Sequence, residues 1–172
     1  MIPSQIMFDA IRANRVHIPP NPFAVGGYVN GAITDYIWHT PDWDAFPDSY
    51  HVRINVTGDP SRGNALDVEQ GDATPGNVQQ WIESRGAAIQ DPLLVYCNRS
   101  NLDACLAARN AAQNATGIYA FMWVATLDGT IEGRSATQFA QTKVNGVAVT
   151  DCTLITNPRL IAAMMARLAA KP

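Results

Sequence analysis

Asp67 and Glu69 lie two positions apart in the segment Ala65-Leu66-Asp67-Val68-Glu69. Side chains alternate faces along a strand, so Leu66 and Val68 point one way and the two acids the other. Two carboxyls that close do not ionise independently, because repulsion and a low local dielectric hold a proton on one of them. A protonated acid beside a carboxylate is the pairing that cleavage of a glycosidic bond requires. An edge strand with a solvated polar face would carry the same residues, and Asp-x-Glu alone does not separate the two readings.

Asp9 ends the apolar run Ile6-Met7-Phe8, and Asp151 ends Val147-Ala148-Val149-Thr150. Barrel and open-sheet enzymes gather their chemistry at the C-terminal ends of strands. Either acid alone would serve equally as a helix cap or turn residue, but acids at three strand ends predict one shared site. Asp72 falls in the loop ahead of a helix and reads as a capping residue. Tyr28, Tyr96, Trp123 and Phe139 stand on or just after strands, where an aromatic either fills the core or stacks under a sugar ring. Tyr28 and Trp123, nearest the strand ends, are the stacking candidates, and Asn98 at the end of the Tyr96 strand is a further candidate for contact with substrate. Trp43 and Trp81 fall within helices and read as packing residues.

His17, His39 and His51 are isolated, and Cys97, Cys105 and Cys152 form no CxxC pair. No metal is therefore expected, and the cysteines read as buried free thiols. A divalent-metal site for phosphoester cleavage would use the same acids but lacks histidine ligands.

The elements that must position these residues alternate along the chain. Strands are predicted at Gln5 to Asp9, Val25 to Val29, His51 to Val56, Ala65 to Glu69, Leu93 to Cys97, Ile118 to Val124, Ala136 to Gln141 and Val147 to Ile155. Thr40-Pro41 and Thr74-Pro75 each pair an N-cap with a proline at the first helical position. The first opens a short helix through Phe46, the second a helix to about Arg85 closed by Gly86. Ser100 with Asp103 resembles a capping box for a helix to about Gln113. Asn157-Pro158 opens the last helix, with Leu160, Ile161, Met164, Met165 and Leu168 on one core-facing stripe. Asn30-Gly31 marks a turn, and Asp128-Gly129 is the strongest hairpin signal. The first half reads as βα units, and 123–155 reads as antiparallel β. An irregular barrel fits this better than a complete eightfold one, which typically takes ~250 residues.

The chain has 172 residues, 47% hydrophobic and 16% charged, which suits a single domain spanning 1–172 with a sizeable core. Twelve Lys+Arg against fifteen Asp+Glu give a net charge of −3, and the basic residues are scattered, so no nucleic-acid partner is expected. The N-terminal segment lacks a basic region followed by a long apolar core, so no secretory signal is read there. The apolar stretch 160–170 is broken by Arg167 and too short to span a bilayer. Cytoplasmic synthesis without membrane contact is the expectation.

Met7-Phe8-Asp9 near the start and Leu66-Asp67-Val68-Glu69 on a middle strand match the acid positions of the family 25 glycoside hydrolases. Ala136-Thr137-Gln138-Phe139 and Gly146-Val147-Ala148-Val149-Thr150-Asp151 resemble that family's final Gln-aromatic strand and its last strand ending in Asp. The intermediate strands around Tyr96 and Trp123 fit the same order. Gly27 to Gly31 and Glu69 to Pro75 resemble segments of a subgroup found in actinobacteria and their phages. The resemblance implies an α/β fold, a small irregular TIM-like (β/α) barrel of the family 25 lysozyme type with an antiparallel C-terminal portion. It implies a muramidase acting on peptidoglycan glycan strands without a cofactor, as an endolysin or phage tail component with other phage structural proteins as partners. Glu69 would then be the general acid, and Asp67 would polarise the substrate acetamido group. Asp9 and Asp151 would shape the pocket, while Tyr28, Tyr96, Asn98, Trp123 and Gln138 would contact the glycan. The chain is shorter than most such lysozymes, and Thr126-Leu127-Asp128-Gly129 stands where they carry an aromatic and a longer loop. The alternative is a catalytically inactive barrel serving as a structural or glycan-binding virion protein.

Overall fold

The structure, a computed structural model, describes residues 5–131 and 134–171. Eight strands close into a barrel in sequence order: β1 (Gln5–Asp9), β2 (Ala24–Tyr28), β3 (Tyr50–Asn55), β4 (Ala65–Val68), β5 (Leu93–Asn98), β6 (Ala120–Ala125), β7 (Ala136–Val144) and β8 (Val147–Ile155). Strands β1 to β7 run parallel to one another, and β8 is antiparallel to both β7 and β1, closing the ring. The fold is thus a mixed α/β barrel with one reversed strand.

The reversed portion is smaller than the sequence pattern predicted. Trp123 pairs in parallel with Ala136, so Asp128-Gly129 is not a hairpin turn. Asp128 instead accepts the Thr130 N–H at 2.9 Å and pairs with Arg99 at 2.8 Å, folding the β6–β7 connection on itself. The hairpin lies at Asn145-Gly146, between β7 and β8, where φ is 50° and 81°. Two consecutive positive φ values are what a type I′ turn demands, and its twist matches the strands on either side.

Alternation along each strand divides the apolar residues into an inner and an outer set. Met7, Ala24, Val52, Ile54, Leu94, Trp123 and Ile155 meet inside the barrel. Leu160, Ile161 and Met164 of α4 (Pro158–Ala169) join them and close the base. Met165 is half exposed, so the predicted stripe is narrower by that residue. Outside, Leu66, Val68, Val95 and Cys97 pack against Val78, Trp81 and Ile82 of α2 (Pro75–Ala88) and Cys105 of α3 (Leu102–Thr116). Trp43, on the short α1 (Thr40–Asp44), packs with Trp38 and Val25 in a third cluster. All three cysteines are free.

Helix ends follow their capping chemistry, with two departures. Thr74 and Asn77 reciprocate at the start of α2, the Thr74 N–H donating to Asn77 Oδ1 at 2.8 Å. Helix α2 runs past Gly86 to Ala88, because Gly86 packs against Ile118, whose Cγ2 would lie 2.4 Å from a Cβ there. Ser100 does not cap α3. The Asn98 side-chain oxygen Oδ1 takes the Asn101 N–H at 3.1 Å and the Ser100 hydroxyl at 2.7 Å, starting a 3-10 turn that leads into the helix. Among the described residues no helix is long and apolar enough to cross a membrane.

Candidate active site

Asp9 is the last residue of β1 and points inward, with a Cα partner in Asp151 of β8. Gly26, the first of two consecutive glycines on β2, leaves it room. A Cβ on Gly26 would stand 2.6 Å from Asp9 Cβ, so no larger residue fits there without displacing the acid. A Cβ on Gly27, on the outer face, would stand 2.4 Å from the Trp38 ring. The Trp38 indole N–H reaches the carbonyl of Ala10 at 3.0 Å, pinning the residue that follows Asp9.

Asp151 lies in the middle of β8, not at a strand end as predicted. It reaches the same mouth of the barrel because β8 runs backwards. Its partners come from a bulge in β7, where Gln138 pairs with Thr153, Ala140 with Cys152 and Gln141 with Asp151. The extra residue turns both Gln138 and Gln141 inward, although strict alternation would oppose residues three apart. Gln141 Nε2 donates to Asp151 Oδ1 at 2.8 Å, and the Gln138 side chain also hydrogen-bonds this carboxyl.

Asp67 points inward from β4, in register with Tyr96 and, one strand on, Trp123. Glu69 follows the end of β4, and the Tyr96 hydroxyl donates to its carboxylate. Tyr96 and Trp123 meet edge to face at 4.7 Å, and Trp123 Nε1 donates to Thr153 Oγ1 at 3.1 Å. Trp123 is 1% exposed, which makes it wall and floor with no free face for stacking. Tyr28 is only partly buried and keeps that role open.

All four acids, together with Tyr28, Tyr96, Trp123 and Gln138, line one cavity of about 160 Å³. Asn98 does not line it, since its oxygen is committed to the start of α3. Gln141, Ile54 and Leu127 complete the lining and escaped the sequence reading. The bulge that recruits Gln141 has no periodic signature. Two further hollows of about 350 and 200 Å³ adjoin the first, and Tyr28 lines all three. Asp72 lies in the larger of these, and it is Thr74 that caps α2.

No Lys, Arg or His is among the described lining residues, so burial and mutual repulsion act on the acids unopposed by a cation. Burial first, then Asp151, Asp67 and Glu69, push Asp9 well above the usual carboxylate range. Asp67 is pushed up to about 8, by burial and then by Glu69, Asp72 and Asp151. Glu69 is raised by burial, with the Tyr96 hydroxyl pulling the other way. Burial also raises Asp151, against the two glutamine amides. Asp9 Oδ1 and Asp67 Oδ1 are buried and accept no hydrogen bond among the described residues. Such orphan oxygens are costly unless a ligand hydroxyl or amide reaches them. Among the described residues no three His, Cys, Asp or Glu side chains converge closely enough to hold a metal ion. Chemically, the cavity gathers carboxyls whose affinity for protons is raised, within aromatic and amide walls.

No protein-family model matches the sequence, and no curated protein matches it. Among solved structures, the chain is similar to the 1.07 Å crystal structure of an uncharacterized B. stearothermophilus protein, with a TM-score of 0.58. The match covers 91% of this chain and 97% of that one at 13% sequence identity, a likeness of fold alone.

Proposed function

We propose that the chain is a glycoside hydrolase of the lysozyme type, cleaving peptidoglycan glycan strands at the mouth of the barrel. The observation that carries this reading is the convergence of Asp9, Asp67, Glu69 and Asp151 on one cation-free cavity walled by Tyr28, Tyr96 and Trp123. Environments that hold neighbouring carboxyls in different protonation states are the mark of acid–base work on glycosides. The family 25 resemblance points the same way, and with it an action at the bacterial cell wall as an endolysin or tail component.

Glu69 is half-buried, and burial raises its affinity for a proton, the shift that suits a general acid. That proton goes to the glycosidic oxygen as its bond to the anomeric carbon breaks. Water then adds to the anomeric carbon, and the proton it sheds returns to Glu69. Asp67 keeps its proton through the neutral range and acts as a hydrogen-bond donor to the substrate acetamido group. Burial and its acidic neighbours bias Asp9 toward its neutral form. The two amides on Asp151 favour its charged form against burial, and in that form it supplies negative charge toward the developing oxocarbenium ion.

A second reading, glycan binding without turnover, draws on the small cavity of about 160 Å³. Pockets for small ligands usually run to ~300 Å³ or more. Purified actinobacterial cell walls separate the two. The intact chain should release new reducing ends, and Glu69→Gln should cut the rate by roughly 10²–10⁴ while still sedimenting with walls. Equal rates for both proteins would refute the assignment of Glu69, and wall binding with no release by either would leave the second reading.

A further inference from the structure

At the opposite end of the barrel, α3, the start of β7 and the end of β8 enclose a cavity of about 350 Å³. Arg109 and Arg134 line it together with Tyr119, Ser135 and Asn157. No acid is among its described lining residues, in a chain whose net charge is −3. The Arg109 guanidinium carbon sits 5.0 Å from the Tyr119 ring centroid, and Tyr119 meets Phe121 edge to face at 5.0 Å. The ring holds the guanidinium but offers its N–H groups no conventional acceptor.

Arg109 Nε is buried and has no hydrogen-bond partner among the described residues. The Arg134 side chain, which is exposed, has no carboxylate partner among them either. Buried donors on a charged group are rarely left unmet, since an arginine cannot shed its charge to escape the cost. The first amides of α4 do not supply the attraction, because Asn157 Oδ1 already takes the N–H groups of Arg159 and Leu160. An adjoining hollow of about 420 Å³ shares Tyr119 and Asn157 and adds Phe121 and Arg159.

From this arrangement we infer that the cavity is a binding site for a small ligand carrying an oxyanion next to a flat apolar group. The guanidiniums of Arg109 and Arg134 take the oxyanion, with the Ser135 hydroxyl and the Asn157 amide beside them. The Tyr119 and Phe121 rings take the apolar part. A phosphate ester and a carboxylate share this chemistry. The site lies at the far end of the barrel from the carboxylate cavity and does not rest on the proposed hydrolase activity.

The isotope-labelled 172-residue chain titrated with phenyl phosphate, inorganic phosphate and benzoate, at ionic strength held constant with chloride, tests the inference by NMR. Saturable shifts are expected at Ser135, Thr156, Asn157 and the Arg109 Nε–H, with phenyl phosphate tighter than inorganic phosphate. Saturation by benzoate alone identifies a carboxylate ligand, and saturation by the phosphates alone a phosphate ester. Arg134→Gln, at an exposed position, should weaken binding roughly tenfold, the loss of about one charge-assisted hydrogen bond. Arg109→Gln should do the same, with thermal unfolding used to confirm that it folds. Shifts that never saturate, or a binding curve unchanged in Arg134→Gln, would overturn the site.

Discussion

Asp9 and Asp151 face one another as direct Cα partners across the antiparallel ladder of β1 and β8. Partners in such a ladder have Cα atoms about 4.5–5.5 Å apart, so two like charges placed there repel strongly when the site is dry. Sheets normally avoid this pairing. Here burial and its acidic neighbours bias Asp9 toward its protonated form, and the amides of Gln141 and Gln138 hold Asp151.

Asp67 ties the protein's stability to pH. Its folded carboxyl holds a proton up to about 8, against an ordinary value of 3.8. Its contribution is therefore fully present below pH 3.8 and is lost as pH rises through about 8. Asp67→Asn removes that loss. Urea unfolding at about pH 5 and about pH 9 should show the wild type falling more than the variant, by on the order of a few kcal/mol. Parallel curves for the two proteins would contradict the buried, protonated state of Asp67.

Gln141→Leu deletes a 2.8 Å hydrogen bond to Asp151. The amide favours the charged carboxyl, so its loss should raise the Asp151 pKa further, read from the carboxyl carbon in an NMR titration. Gln141 is solvent-exposed, so the stability cost should stay near or below about 1 kcal/mol. An unmoved titration midpoint would mean that Gln141 does not hold this acid.

Tyr96→Phe should raise the pKa of Glu69, because the phenol donates to its ionised form. If Glu69 is the general acid, the alkaline limb of the rate profile moves to higher pH by the same amount. A shift of the carboxyl titration without a shift of the limb would separate the electrostatics from the catalytic assignment.

Gly26→Ala puts a methyl group 2.6 Å from Asp9 Cβ. Overpacking of this kind costs about 1–3 kcal/mol, so thermal unfolding should come several degrees lower. Asp9→Gly in the same chain removes that Cβ and should recover part of the loss, which a clash elsewhere on β2 would not allow.

Much of this fold was legible because strand alternation is a local signal. The runs Gln5 to Asp9 and Val147 to Ile155 are strands over those same residues, and Asp67 does turn away from Leu66 and Val68. Turn chemistry was less informative, since Asp128-Gly129 and Asn145-Gly146 carry equivalent local signals. Which of them joins paired strands depends on the parallel docking of β7 on β6, a tertiary matter. Gly86 reads as a helix stop from its type alone, yet its contact with Ile118 keeps it within α2. Asn98 has the right position for a substrate contact, but its backbone neighbours claim it first. Gln141 was invisible because a bulge breaks the period on which the reading of β7 depends. Asp151 reaches the site through the direction of β8, so its predicted place at a strand end gave way to one in mid-strand.

The described lining of the carboxylate cavity contains no fixed cation. Hydrogen ions are therefore the counterions of this site, and it works as a small reservoir coupled to whatever occupies it. A neutral glycan that strips away water must draw protons in from the buffer, whereas a cationic guest must drive them out. The heat of binding will then depend on the ionisation enthalpy of the buffer chosen, and the affinity on pH, even for a ligand with no titratable group of its own.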